Sequence, residues 1–165
     1  MNVAVVSRLA SSTVLSRLFP DQIDNQYRGL FAALLLLFAY LLVKAFACVN
    51  AIGLNPLWTS RAVLEGVEAV PLQGFDPIEA NATLLLFAWW GVAGLAPTLL
   101  GLLAIARYRS MIPLIYLLML ASKGGEVLVA EDAAIVGMLG AGAPAPFIVL
   151  GVLMTGFILS LVHRK

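Results

Sequence analysis

Between Gly29 and Gly53 the chain reads GLFAALLLLFAYLLVKAFACVNAIG, about 25 residues in which Lys44 is the only charge. As a helix rising 1.5 Å per residue it reaches ~37 Å, enough to cross a ~30 Å hydrocarbon layer with some tilt. Three further runs follow, at about 82–106, 110–130 and 146–163. The composition agrees: 62% of residues are hydrophobic and 12% charged, against about half and a quarter in ordinary soluble domains. The expected fold is all-α: a single transmembrane domain over residues 1–165, built as an integral membrane up-down four-helix bundle.

The connections read as interfacial pieces. Residues 1–20 mix aliphatic side chains with Ser, Thr, Arg8 and Arg17. Because the arginines interrupt the apolar run, a short amphipathic helix lying in the interface fits better than a signal peptide; a partly ordered tail fits as well. Pro20 ends that segment, and Asp21 is placed to cap a new helix start. Residues 54–81 form an outer acidic loop opening on the turn signal Asn55-Pro56. From Trp58 the loop predicts a short amphipathic helix, ended by Pro71, with Val63, Leu64, Val67 and Val70 on one face. Arg61 and Glu65 stand four apart on its wet face. Trp58 and Phe75 suit an aromatic belt. Beyond Glu131-Asp132, a short apolar surface helix and a Gly/Pro loop lead to the fourth run, where Pro146 is a favourable first helical position.

Charge sets the expected orientation. With four spans, Arg8, Arg17, Arg28, Arg107, Arg109, Arg164 and Lys165 fall on one side. The other side holds Arg61 together with Glu65, Glu68, Asp76, Glu79, Glu131 and Asp132. The positive-inside rule puts both termini in the cytoplasm.

Inside the spans the ionisable residues are Lys44, Lys123 and Glu126. Lys44 and Lys123 lie at similar depths below the outer ends of their helices, with Glu126 nearer the surface and Asn50 within reach of a shared polar cluster. Lys123 and Glu126 are i and i+3, so they share a face, and Gly124-Gly125 between them admits a neighbouring backbone. Charges within a span face protein or a water-filled cavity. Two readings stay open: a pocket for a small polar or anionic ligand or a proton path, and an ion pair that fastens the helices. Elsewhere, Ala93, Pro97 and Gly101 recur every four residues on a run that Pro97 should kink. Gly151 and Thr155 give the fourth run a small face as well. Small residues at such spacing let helices approach closely.

Several chemistries are disfavoured. A net charge of +1 offers no basic stripe for nucleic acid. One cysteine, Cys48, and one histidine, His163, cannot build a His/Cys metal site or a bis-histidine haem. Cys48 reads as a small core residue, because no histidine stands near to activate it. No phosphate loop, dinucleotide fingerprint or Ser/His/Asp set is present, so neither an enzyme nor a cofactor is expected.

The stretch YRSMIPLIYLL from Tyr108 to Leu118, with KAFACVN from Lys44 to Asn50 and the acidic loop, resembles a pattern in small uncharacterised bacterial four-span membrane proteins. The likeness touches about a third of the chain. It implies a bacterial inner membrane and a four-span topology, and no activity. In that group the third span continues into a Glu-His or Arg-rich end. Here residues 121–126 read ASKGGE, so no site residue is carried over.

The expected function is a non-catalytic accessory or assembly subunit of a larger membrane complex, with the lipid bilayer, other membrane subunits or further copies of itself as partners. The alternative is a small oligomeric transporter or ligand-binding membrane protein using the Lys/Glu cluster. A quinone- or lipid-linked redox partner is a third reading, for which the chain offers no cofactor ligand.

Overall fold

The computed structural model describes residues 18–20, 22–68, 70–132 and 144–162. The expected interfacial tail, the Asp21 cap and the surface helix after Asp132 lie outside the described residues. Every regular element described is helical: α1 (Phe31–Ile52), α2 (Ser60–Gly66), α3 (Pro77–Arg107), α4 (Ile112–Asp132) and α5 (Pro144–Leu161), with 3-10 turns at Leu72–Gly74 and Arg109–Met111. Among the described residues, three stretches are long and apolar enough to cross a membrane: Phe31–Ile52, Pro77–Arg107 and Arg109–Val129. The apolar stretch Pro146–Leu161 is shorter.

The helix ends follow from local chemistry. Gly53 closes α1 in the left-handed region, at φ +79°. Its N–H donates to the Asn50 carbonyl at 3.0 Å, and the Leu54 N–H donates to the Val49 carbonyl at 3.1 Å. That pair of bonds is a Schellman motif, and glycine meets its backbone demand without a Cβ clash. Gly53→Ala is therefore expected to cost about 1–2 kcal/mol, measurable as a lower midpoint in thermal unfolding of the detergent-solubilised protein.

The α2 helix is shorter than its periodicity predicts. Thr59 caps it by accepting from the Ala62 N–H at 3.2 Å, and it ends at Gly66. Val63 and Leu64 are buried, whereas Val67 is 61% exposed and Val70 lies past the end. The helix ends with Gly66, a weak helix former, five residues before Pro71, and the Val67 N–H still donates to the Val63 carbonyl at 2.8 Å. Arg61 and Glu65 pair at 3.1 Å on the exposed side.

The α3 helix starts five residues before the expected span. Asp76 accepts from the N–H groups of Ile78 (2.8 Å) and Glu79 (2.9 Å), and its own N–H donates to the Glu79 carboxylate at 3.3 Å. With Pro77 at the first helical position this is a full capping box, which starts a helix whatever the hydropathy of its first turn. The helix then runs unbroken through Pro97 for 31 residues.

Contacts between helices set their directions. Close approaches of Gly91 to Ala51 and of Gly101 to Leu41 make α3 antiparallel to α1. The Leu30 N–H donates to the Leu159 carbonyl at 3.3 Å, placing the end of α5 beside the start of α1. Ser110 Oγ donates to the Asp24 carbonyl at 3.0 Å and accepts from the Asp24 N–H at 3.0 Å, tying the turn before α4 to the same end. That end carries Arg28, Arg107 and Arg109. The opposite end carries α2 and the acidic residues Glu65, Glu68, Asp76 and Glu79.

The apolar core lies toward the basic end. Ala33, Leu37 and Leu41 of α1 meet Ala104 of α3, Ile112, Ile115, Tyr116 and Met119 of α4, and Leu153 of α5. At its centre the buried Tyr116 hydroxyl donates to the Ala33 carbonyl at 2.6 Å. The Tyr116 ring fills the space a Cβ on Gly156 would occupy. Tyr116→Phe should remove about 1 kcal/mol from the unfolding free energy while leaving the helical content unchanged by circular dichroism.

Candidate functional site

The α1–α3 seam brings the ionisable side chains together. Along α1, Ala33, Leu37, Leu41, Lys44, Cys48 and Ala51 are buried, a stripe at three- and four-residue spacing. It faces Gly91, Gly94, Thr98, Gly101 and Ala104 of α3. A Cβ on Gly91 would stand 2.9 Å from both the Cys48 carbonyl oxygen and the Ala51 Cβ, and one on Gly101 would stand 2.8 Å from Leu41. A Cβ on Gly94 would meet the Cys48 sulfur at 2.9 Å. Cys48 is buried with a free thiol. Beside Pro97, which lacks an N–H, Thr98 Oγ1 donates to the Gly94 carbonyl at 2.6 Å.

The seam uses part of the expected packing face. Gly101 belongs to it, Pro97 is half-buried at its margin, and Ala93 is exposed. Gly151 and Thr155 also face outward, with nothing within 4 Å of a Cβ at Gly151. The reason is positional. A four-residue repeat drifts around an α-helix of 3.6 residues per turn, whereas mixed three- and four-residue steps stay on one face.

Lys44 leaves the seam with its stem packed near Gly94 and its ammonium directed at α4. Its Nζ stands 3.7 Å from Glu126 Oε1, and Lys123 Nζ donates to Glu126 Oε2 at 2.8 Å. One carboxylate thus holds two ammonium groups, one from each of two helices. Lys44 is 8% exposed, Lys123 21% and Glu126 30%. Trp90 of α3 borders the group, with Lys44 Nζ 5.9 Å from its ring centroid, within reach of a cation–π attraction. Phe87 stacks on Trp90 with centroids 5.7 Å apart.

Asn50 is held elsewhere. Its side-chain oxygen accepts from Asn55 Nδ2 at 2.8 Å, and its carbonyl accepts from Ser60 Oγ at 3.3 Å. It lies two residues before the end of α1, where it ties the loop to the helix. Among the described residues no neighbouring backbone approaches Gly124 or Gly125, since nothing lies within 4 Å of a Cβ at either. Trp90 is the cluster residue that sequence reasoning missed. No sequence signal placed it there: its level beside Lys44 follows from how α3 packs on α1, where Gly91 and Gly94 stand against Cys48.

Outside the apolar helices, burial pushes the Tyr27 phenol up to about 12. A shallow concavity lined by Leu57, Trp58, Ala62, Gly66 and Val67 shares no residue with the ion cluster and has no ionisable lining.

The site belongs to a protein whose described residues form helices and no strand, three of them long and apolar enough to cross a membrane. Comparisons with family models, with curated proteins and with solved structures found no match.

Proposed function

We propose that this chain is a non-catalytic assembly subunit of a larger complex in a bacterial inner membrane. It crosses the bilayer as an up-down bundle of four helices, with the basic end and both termini in the cytoplasm. The orientation rests on Arg28, Arg107 and Arg109 gathering at one end, opposite Glu65, Glu68, Asp76 and Glu79.

One observation carries the assembly role: the contrast between used and unused glycines. Gly91, Gly94 and Gly101 sit where α1 presses on α3. Gly124, Gly125 and Gly151 also occupy apolar helices, and among the described residues they meet nothing within 4 Å. In lipid, helices associate through close packing of small residues, so faces of this kind left open suit helices of another subunit. Extraction from native membranes in mild detergent, followed by native mass determination, tests the role. A fixed assembly with foreign subunits at constant stoichiometry supports it. A lone or purely self-associated species overturns it.

The Lys44–Glu126 contact favours a second reading, a small oligomeric ligand-binding or transport protein. Ionic groups within the apolar stretch of a helix are costly and commonly functional. Ligand-dependent thermal stabilisation, lost in Lys44→Met, separates this reading from the first.

A further inference from the structure

We infer that the Lys44–Glu126–Lys123 cluster is a binding site for the phosphodiester head group of an anionic amphiphile, entered from the side between α3 and α4. The inference rests on the ligand-binding reading and names its ligand class.

Charge comes first. Two ammonium groups share one carboxylate, leaving one formal positive charge. Between Phe31 and Ile52, Ala82 and Ala106, Ile112 and Val129, and Pro146 and Leu161, the chain has no other Asp, Glu, Lys or Arg. Nothing in those stretches can neutralise the surplus. A singly charged anion can.

Hydrogen bonding points the same way. Lys44 is nine-tenths buried, and its ammonium carries three donors. None of them makes a hydrogen bond among the described residues, and the Glu126 contact at 3.7 Å is an ion pair only. The ammonium nitrogen itself is not enclosed, since among the described residues the buried side-chain atom without a partner is the Tyr27 hydroxyl, so its donors can be reached from outside the chain. An oxyanion with several acceptor oxygens, placed beside Glu126, satisfies them and lies close to the Lys123 ammonium as well.

The surroundings select an amphiphile over a small soluble anion. Lys44 lies eight residues before the end of α1, or ~12 Å along the axis, below the level where a soluble ion has ready access. Exposed apolar groups lie next to the charges: Trp90, 38% exposed, beside Lys44, and Leu128 (67%) and Val129 (70%) two and three residues after Glu126 on α4. The Trp90–Phe87 stack offers a flat surface for an acyl chain. On α4 the residues between Lys123 and Glu126 are Gly124 and Gly125, whose open surface leaves room for a head group beside both charges.

The geometry makes a prediction whose sign separates a ligand site from a structural ion pair. Glu126 competes with the ligand for both lysines, so removing its charge should strengthen binding. In a purely structural cluster the same change only weakens the fold.

The test uses the full-length protein in a nonionic detergent, read by native mass and thermal unfolding. Phosphatidylglycerol, phosphatidylcholine and inorganic phosphate are the three probes. Phosphatidylglycerol should form a one-to-one adduct and raise the unfolding midpoint, whereas phosphatidylcholine should do neither. Glu126→Gln should bind phosphatidylglycerol more tightly, on the order of tenfold. Lys123→Met keeps the Lys44–Glu126 pair and should retain the lipid-free midpoint while losing the phosphatidylglycerol shift. Equal shifts with both lipids, unchanged or weaker binding in Glu126→Gln, or a full shift in Lys123→Met overturns the proposal. A lysine-dependent shift with inorganic phosphate alone overturns the amphiphile and keeps the ligand-binding reading. No shift with any probe, together with wild-type stability in Lys44→Met and Lys123→Met, overturns both.

Discussion

Replacing Gly91 by leucine is expected to separate α1 from α3 and to lower the unfolding midpoint more than any other single change discussed here. A Cβ alone would stand 2.9 Å from the Cys48 carbonyl oxygen and 2.9 Å from the Ala51 Cβ. The first is backbone in the middle of a helix, so no rotamer change relieves the overlap. Three further carbons then need space along a seam already in contact. Overpacking of a tight interior usually costs about 1–3 kcal/mol, and with rigid backbone as the obstacle the expected loss lies at or above about 3 kcal/mol. Gly151→Leu is the matched control. Nothing lies within 4 Å of its Cβ position, so the purified chain should unfold at the wild-type midpoint. If Gly151 packs against another subunit, the same substitution should remove that subunit from the native-mass assembly. Equal midpoints for wild type and Gly91→Leu would show that α1 and α3 do not meet at this seam.

The second large effect belongs to Glu126. Glu126→Leu leaves Lys44, 8% exposed, with its ammonium facing no counter-ion. Breaking a buried pair from one side commonly costs about 3–5 kcal/mol. Glu126 is 30% exposed and water reaches part of the cluster, so about 2–3 kcal/mol is expected. The informative comparison is with Lys44→Met. That change removes the buried charge and keeps an aliphatic stem, whose Cε lies 3.7 Å from a Cβ position at Gly94. It also leaves Glu126 bonded to Lys123 at 2.8 Å. Lys44→Met should therefore be milder, and Lys44→Met combined with Glu126→Leu should be more stable than Glu126→Leu alone. Thermal unfolding of the four proteins in lipid-free detergent gives the coupling directly. Additive effects would mean that the two side chains do not interact across the helices.

How much could be read without coordinates depended on whether the signal was local. The end of α1 was legible because Gly53-Leu54-Asn55-Pro56 is a stop written in adjacent residues. The start of α3 was equally local, in Asp76-Pro77-Ile78-Glu79, yet hydropathy hid it. Asn81, Glu79 and Asp76 look like loop when only apolar residues are counted. Capping chemistry acts on the backbone N–H groups and is indifferent to that count. The α2 helix shows the opposite error: apolar spacing extended it to Val70, and it ends at Gly66.

Lys44, Lys123 and Glu126 could be set at one level by counting residues from the ends of two helices that rise in the same direction. Their chemical types and depths are properties of the sequence. Asn50 lies six residues nearer the end of α1 than Lys44, and Asn55, five residues away, is the partner for its side chain. Trp90 could not be placed, because the level of an α3 residue depends on where that helix starts and how it is offset against α1.

The amino-acid sequence by itself determined the class of structure. Long apolar runs must become helices that satisfy their own backbone bonds, charge gathers at their ends, and two lysines and a glutamate are left in the apolar interior. Only the tertiary structure decided which faces meet. In a soluble helix the polar side marks the exterior, but in runs apolar on every side that mark is missing, and lipid solvates any face equally well. The choice of Gly91, Gly94 and Gly101 over Ala93 and Gly151 was made by close packing between particular side chains of two helices. The same packing presented Lys44 to Glu126.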